Sequence, residues 1–119
     1  MAYDDQNIFA KILRGEIPCQ THDECDHTLA FHDIQPQAPT HILVIPKGAY
    51  TDMSDFAAHA SAEEQAAFIA AIGRAATKAG LTEGGYRIIA NSGAHGCQEV
   101  PHLHMHILGG EVIGPLRAR

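Results

Sequence analysis

Apolar residues recur at helical spacing in two places along the chain and alternate or cluster in short runs in four others. Ile8, Phe9, Ile12 and Leu13 fall on one side of a helix over Ile8 to Arg14, which Gly15 and then Pro18 bring to an end. Ser61, with Glu64 three residues on, has the spacing of a capping box, and Gly80 supplies a stop, so a long helix is expected between them. Its buried stripe is expected to be Phe68, Ile69, Ile72, Ala76 and Ala79. Thr28 to His32, His41 to Ile45, Tyr86 to Ala90 and Leu103 to Leu108 read as strands. Between the first two lies the turn-rich stretch Gln35-Pro36-Gln37-Ala38-Pro39, and Asn91 to Gly96 forms a further loop. Helix, strands, helix, strands predicts an α+β sandwich with an antiparallel sheet.

A chain of 119 residues suits one domain with one core. No apolar run approaches the roughly 20 residues of a membrane span, and the first residues carry neither a secretory nor a mitochondrial address, so a cytoplasmic location is expected. A formal charge of -6 argues against nucleic acid as a partner, because phosphate backbones are met by clustered basic residues. Cys19, Cys25 and Cys97 are odd in number and contain no C-x-x-C pair, so neither a disulfide framework nor a cysteine zinc site is expected. The outlying feature is histidine: nine residues against eight Lys plus Arg, which turns attention to proton transfer, nucleophilic attack and metal binding.

Three of the nine stand in the run His102-Leu103-His104-Met105-His106. In a strand they share one face, while Leu103, Met105 and Ile107 share the other. A single metal ion fits all three poorly, since the Cα atoms of His102 and His106 would be about 13 Å apart and zinc–nitrogen bonds are only about 2 Å long. Two of them with His41 would make a more compact set. Nucleophilic chemistry asks for less: an imidazole with one N–H held by a backbone carbonyl exposes its other nitrogen, and neighbouring imidazoles bind phosphate oxygens or move protons. Phosphoryl and nucleotidyl centres suit such a cluster.

The run resembles the signature of the histidine triad (HIT) family. Further blocks are similar to its Hint branch: Ile8 to Ile12, Gly15 to Pro18, Phe31 to Ile34, Pro36 to His41, Val44 to Lys47 and Leu108 to Gly110. The resemblance implies an α+β fold with a five-stranded antiparallel sheet, a short N-terminal helix and one long helix, the sheet continuing across a homodimer. It implies a phosphoramidase that cleaves the P–N bond of purine nucleoside 5′-phosphoramidates, with aminoacyl adenylates as further substrates and no metal or cofactor. By the same resemblance His104 attacks the α-phosphorus, His102 and His106 hold phosphate oxygens, and His41 orients or relays protons. Asn91, Cys97, Gln98 and Glu99 would line the phosphate side. Asp33 would accept from the ribose hydroxyls beside His32, and Ile8, Phe9, Ile12, Phe31, Ile34 and Leu43 would make an apolar slot for a purine.

The chain departs from the branch in places. Cys97 and Glu99 stand where a second glycine and a hydroxyl residue are usual, Pro101 replaces a frequent aromatic, and the tail Glu111 to Arg119 has no tryptophan. Asn7 and Ala10 occupy the places of a zinc-binding cysteine pair of some bacterial relatives, so no structural zinc is expected. Two alternatives remain open: a dinucleoside polyphosphate hydrolase or nucleotidyl transferase using the same histidine, and a nucleotide-binding regulatory module.

Overall fold

A computed structural model describes residues 2–117; Met1, Ala118 and Arg119, at the ends of the expected domain and tail, lie outside the described residues. Eight elements follow in order: α1 (Ile8–Leu13), β1 (Thr21–Glu24), β2 (Thr28–His32), β3 (Thr40–Pro46), α2 (Met53–His59), α3 (Ala62–Lys78), β4 (Tyr86–Ile89) and β5 (Met105–Gly109). The strands form one antiparallel sheet in the order β1-β2-β3-β5-β4. The fold is therefore the α+β arrangement expected, with a five-stranded antiparallel sheet. No helix of the described residues is long and apolar enough to cross a membrane.

The pleat divides β3 and β5 between two cores. Ile42, Val44, Met105 and Ile107 point to one face, where Phe56 of α2 and Phe68, Ala71, Ile72, Ala75 and Ala76 of α3 bury them. Leu29, Phe31, Leu43 and Ile45 point to the other, where Phe9 of α1 covers them. Cross-strand pairing sets His106 against Leu43, and Leu43 against Phe31, so His106 belongs to this second, thinner layer. One helical turn and a half is too little to seal that face. The remaining opening is where the polar chemistry collects.

Local signals explain the helix ends. Ser61 caps α3 by accepting from the Glu64 amide at 3.0 Å, and Glu64 accepts from the Ser61 amide at 3.0 Å, so the capping box forms in full. Gly80 then takes φ +76°, a left-handed turn that costs glycine little. Asn7 caps α1, accepting from the Ala10 amide.

Three expectations need correction. Ile69 is 67% exposed rather than part of the α3 stripe; Ala71 and Ala75 are the buried neighbours of Phe68 and Ile72. At about 100° per residue, Phe68, Ala71, Ile72, Ala75 and Ala76 span the arc that faces the sheet, and Ile69 falls just beyond its edge. Two elements, β1 and α2, were not expected from the pattern. The last strand starts at Met105 rather than Leu103, because the Leu103 amide donates to the Tyr50 carbonyl instead of to a neighbouring strand.

Candidate active site

The unsealed face opens as a cavity of about 730 Å³ between α1, β2, β3, β5 and the loop before His102. That volume lies within the range of small-molecule sites. His41, His104 and His106 line it, as do Ile8, Phe9, Ile12, Phe31, His32, Asp33, Ile34, Leu43, Asn91, Cys97 and Glu99. Phe9 and Phe31 meet edge to face, with centroids 5.6 Å apart, as its apolar floor, and the strongly exposed Ile34 stands at its rim. His102 and Gln98 are absent from its lining.

His104 is almost fully buried, and its ring packs on Phe9 with centroids 4.9 Å apart. Its Nδ1 donates to the His102 carbonyl at 2.7 Å, a bond the extended backbone makes available two residues back. Nε2 is thereby the lone-pair nitrogen. It has no hydrogen-bond partner among the described residues, yet it is not a sealed, unsatisfied atom, so it faces the open cavity. Burial pulls the His104 pKa below the ordinary histidine value, more than the His102 carbonyl and the charges of Asp33 and Glu99 raise it. The ring is neutral at neutral pH, the state a nucleophile needs.

His106 lies beside it, ring centroids 5.0 Å apart. Its pKa is pushed down to about 4 by burial, with His104 and His41 opposing any added charge. His41 Nε2 and His106 Nδ1 are 2.9 Å apart, and His41 Nε2 is 3.5 Å from Asp33 Oδ2. Burial lowers the His41 pKa, against the opposite pull of Asp33. The other Asp33 oxygen accepts from the Gln35 amide at 2.8 Å, which pins the carboxylate at the cavity wall. Asp33, His41 and His106 together bring one oxygen and two ring nitrogens within 4.8 Å of one another.

The outer two members of the triad differ sharply. His102 is fully buried, 0% exposed, its Nε2 donating to the Pro46 carbonyl at 2.9 Å and its Nδ1 accepting from the Tyr3 hydroxyl. The role implied for it, holding phosphate oxygens, does not fit this placement: both ring nitrogens are engaged and neither reaches the cavity. Its backbone carbonyl, not its ring, serves His104. Gln98 likewise turns inward, donating to the Thr51 and Val100 carbonyls and accepting from the Gly93 amide. It clamps the loop that carries Asn91, Cys97 and Glu99. Close approach also shapes this loop, since a Cβ on Gly96 would come within 2.5 Å of the Ser92 carbonyl oxygen.

Several contributors had no visible signal. Tyr3 reaches His102 from 99 positions away, and Asn7 donates to the Tyr3 hydroxyl at 2.9 Å while capping α1. Gln37, in the proline-bracketed turn, donates its amide to His41 Nδ1 at 3.0 Å.

Comparison with known proteins bears on this site. A family model described as the HIT domain matches residues 14–112. An uncharacterised HIT-like protein of Azospirillum brasilense is 59% identical over 114 residues, covering 96% of this chain and 93% of its own. A protein of Escherichia coli K12 named purine nucleoside phosphoramidase is 45% identical over 116 residues, covering 96% and 95%. The crystal structure of a HIT family hydrolase from Legionella pneumophila superposes with a TM-score of 0.82 at 41% identity, covering 89% of this chain and 94% of that one.

Proposed function

The chain belongs to the HIT domain family, and from that membership we propose that it is a nucleotide hydrolase, cleaving the P–N bond of purine nucleoside 5′-phosphoramidates by nucleophilic attack from His104. One observation carries the reading: a buried, neutral imidazole whose Nδ1–H is held by the His102 carbonyl and whose Nε2 lone pair faces the cavity. The base lies in the apolar slot over Phe9 and Phe31, and Asp33 accepts from the ribose hydroxyls. That brings the α-phosphorus to His104. His104 Nε2 forms a bond to phosphorus as the P–N bond breaks; the amine departs with a proton taken from solvent in the open cavity, and water then cleaves the nucleotidyl-histidine to nucleoside monophosphate, returning a proton to solvent and His104 to its neutral form. Held by a carbonyl, Nδ1–H stabilises the charge the ring acquires on attack. His106, linked to His41, supports the non-bridging oxygens. Cys97, Glu99 and Asn91, which line the same cavity, are assigned to the phosphate side.

We also propose a homodimer that extends the sheet. β4 is the outer strand on its side, and Tyr86 and Ile88 leave it substantially exposed, a surface of the kind that second copies cover.

Turnover separates this reading from its rivals. The protein is expected to hydrolyse adenosine 5′-phosphoramidate with kcat/KM at least roughly a hundredfold above that for a diadenosine polyphosphate, a difference of about 2.7 kcal/mol at the transition state. The reverse order would assign it to polyphosphate hydrolysis. Binding of nucleoside monophosphate with no turnover of either would make it a binding module.

A further inference from the structure

Two imidazoles and a carboxylate gathered around one point, as in Asp33, His41 and His106, have the chemistry of a set that takes up zinc or a similar divalent transition metal. One contact argues that this cluster does not. The Gln37 amide approaches His41 Nδ1 at 3.0 Å, and a backbone N–H can only donate. His41 Nδ1 therefore carries the lone pair, and in the neutral ring the proton sits on Nε2. Nε2 is the nitrogen that faces His106 Nδ1 and Asp33 Oδ2. A metal there would need the Nε2 lone pair, move the proton to Nδ1 and set it against the Gln37 N–H, two donors facing each other in a buried place. The turn resists moving aside: the Asp33 amide donates to the His41 carbonyl at 3.0 Å across its base, and Pro36 and Pro39 stiffen it.

We propose that the Gln37 backbone amide is a tautomer lock: it fixes the proton of His41 on Nε2, keeps divalent metals from the Asp33–His41–His106 cluster, and sets the hydrogen-bonding direction of His106. With His41 Nε2–H donating to His106 Nδ1, the neutral His106 ring carries its own proton on Nε2. That atom has no partner among the described residues and opens to the cavity. Two adjacent imidazoles then present opposite characters, a lone pair from His104 and an N–H donor from His106. The pairing suits a tetrahedral or trigonal phosphorus centre, attacked at the atom and held at an oxygen. Gln37 acts through His41 and is a positioning residue. The lock does not depend on which bond at phosphorus is cleaved, so the turnover comparison can fail without touching it.

The test reads nitrogen protonation directly. In protein labelled with 15N-histidine at neutral pH, two-bond 1H–15N correlation is expected to show His41 and His106 both protonated at Nε2 and bare at Nδ1. Gln37→Pro deletes the N–H; it should let His41 populate the Nδ1–H form and tighten Co2+ binding, read by visible absorption, roughly tenfold or more. Adding Asp33→Asn should remove that gain. Gln37→Ala keeps the amide and should match wild type in both readouts. If the proline variant does not fold, an ester in place of the 36–37 amide removes the same hydrogen with less steric change. A wild-type His41 protonated at Nδ1, or an unchanged nitrogen pattern once the N–H is gone, would overturn the proposal.

Discussion

His104→Ala is expected to lower kcat/KM for adenosine 5′-phosphoramidate on the order of 10⁴-fold or more while nucleoside monophosphate binding persists. Such a loss corresponds to about 5.5 kcal/mol of transition-state stabilisation, far more than a ring used only for packing would supply. Persistence of binding follows from where the contacts lie: the Phe9–Phe31 floor and Asp33 are untouched by the truncation. Because Phe9 loses one ring neighbour, a modest drop in stability accompanies the change. Steady-state kinetics with a titration of adenosine monophosphate checks both halves. Activity within tenfold of wild type would remove His104 from the chemistry.

The second large effect is on stability, and it falls on the neighbouring histidine. His102→Ala strips the Pro46 carbonyl of its histidine donor and the Tyr3 hydroxyl of its acceptor, leaving that hydroxyl only the Asn7 donor, and opens a void beside Tyr3 and Phe9. Each buried polar group left unpaired costs about 1–3 kcal/mol, so a loss of roughly 2–5 kcal/mol is expected. Urea unfolding measures it. In the folded fraction the backbone carbonyl that holds His104 remains, so turnover per folded molecule should fall far less than in His104→Ala. Unchanged stability together with abolished turnover would return His102 to the chemistry and contradict its assignment as a support.

How much of this was legible along the chain depended on whether the determining contacts were local. The capping box of Ser61 and Glu64 is a four-residue device, and it forms as read. Alternation through Met105, His106 and Ile107 divides core from cavity as expected, because the pleat fixes side-chain direction wherever β5 pairs with β3. The same pattern could not tell that His102 is sealed and His106 open. That difference comes from Tyr3, 99 positions away, and from the reach of α1 over only part of the sheet.

The missed elements had little pattern to offer. β1 is Thr-His-Asp-Glu, an outer strand with no apolar alternation, held by its pairing to β2, by Arg74 on Asp23 and by His22 on the Ala75 carbonyl. α2 is seven residues with one buried side chain, Phe56, and its alanines run almost directly into α3. Ile69 went to solvent because it falls just outside the arc of α3 that Phe68, Ala71, Ile72, Ala75 and Ala76 turn to the sheet. At the site, the Gln37 amide is a backbone group whose residue type carries no hint of its role.

The proposed function rests on a covalent bond between His104 and phosphorus. Mixing the protein with an adenosine 5′-phosphoramidate, quenching at neutral or alkaline pH where phosphorus–imidazole bonds survive, and digesting for mass spectrometry tests it directly. The expected result is one adenylyl group on the peptide bearing His104, absent from His104→Ala and lost on further incubation as adenosine monophosphate appears. Turnover with no adduct on any histidine under the same quench, or an adduct on His106 instead, would rule out His104 as the nucleophile.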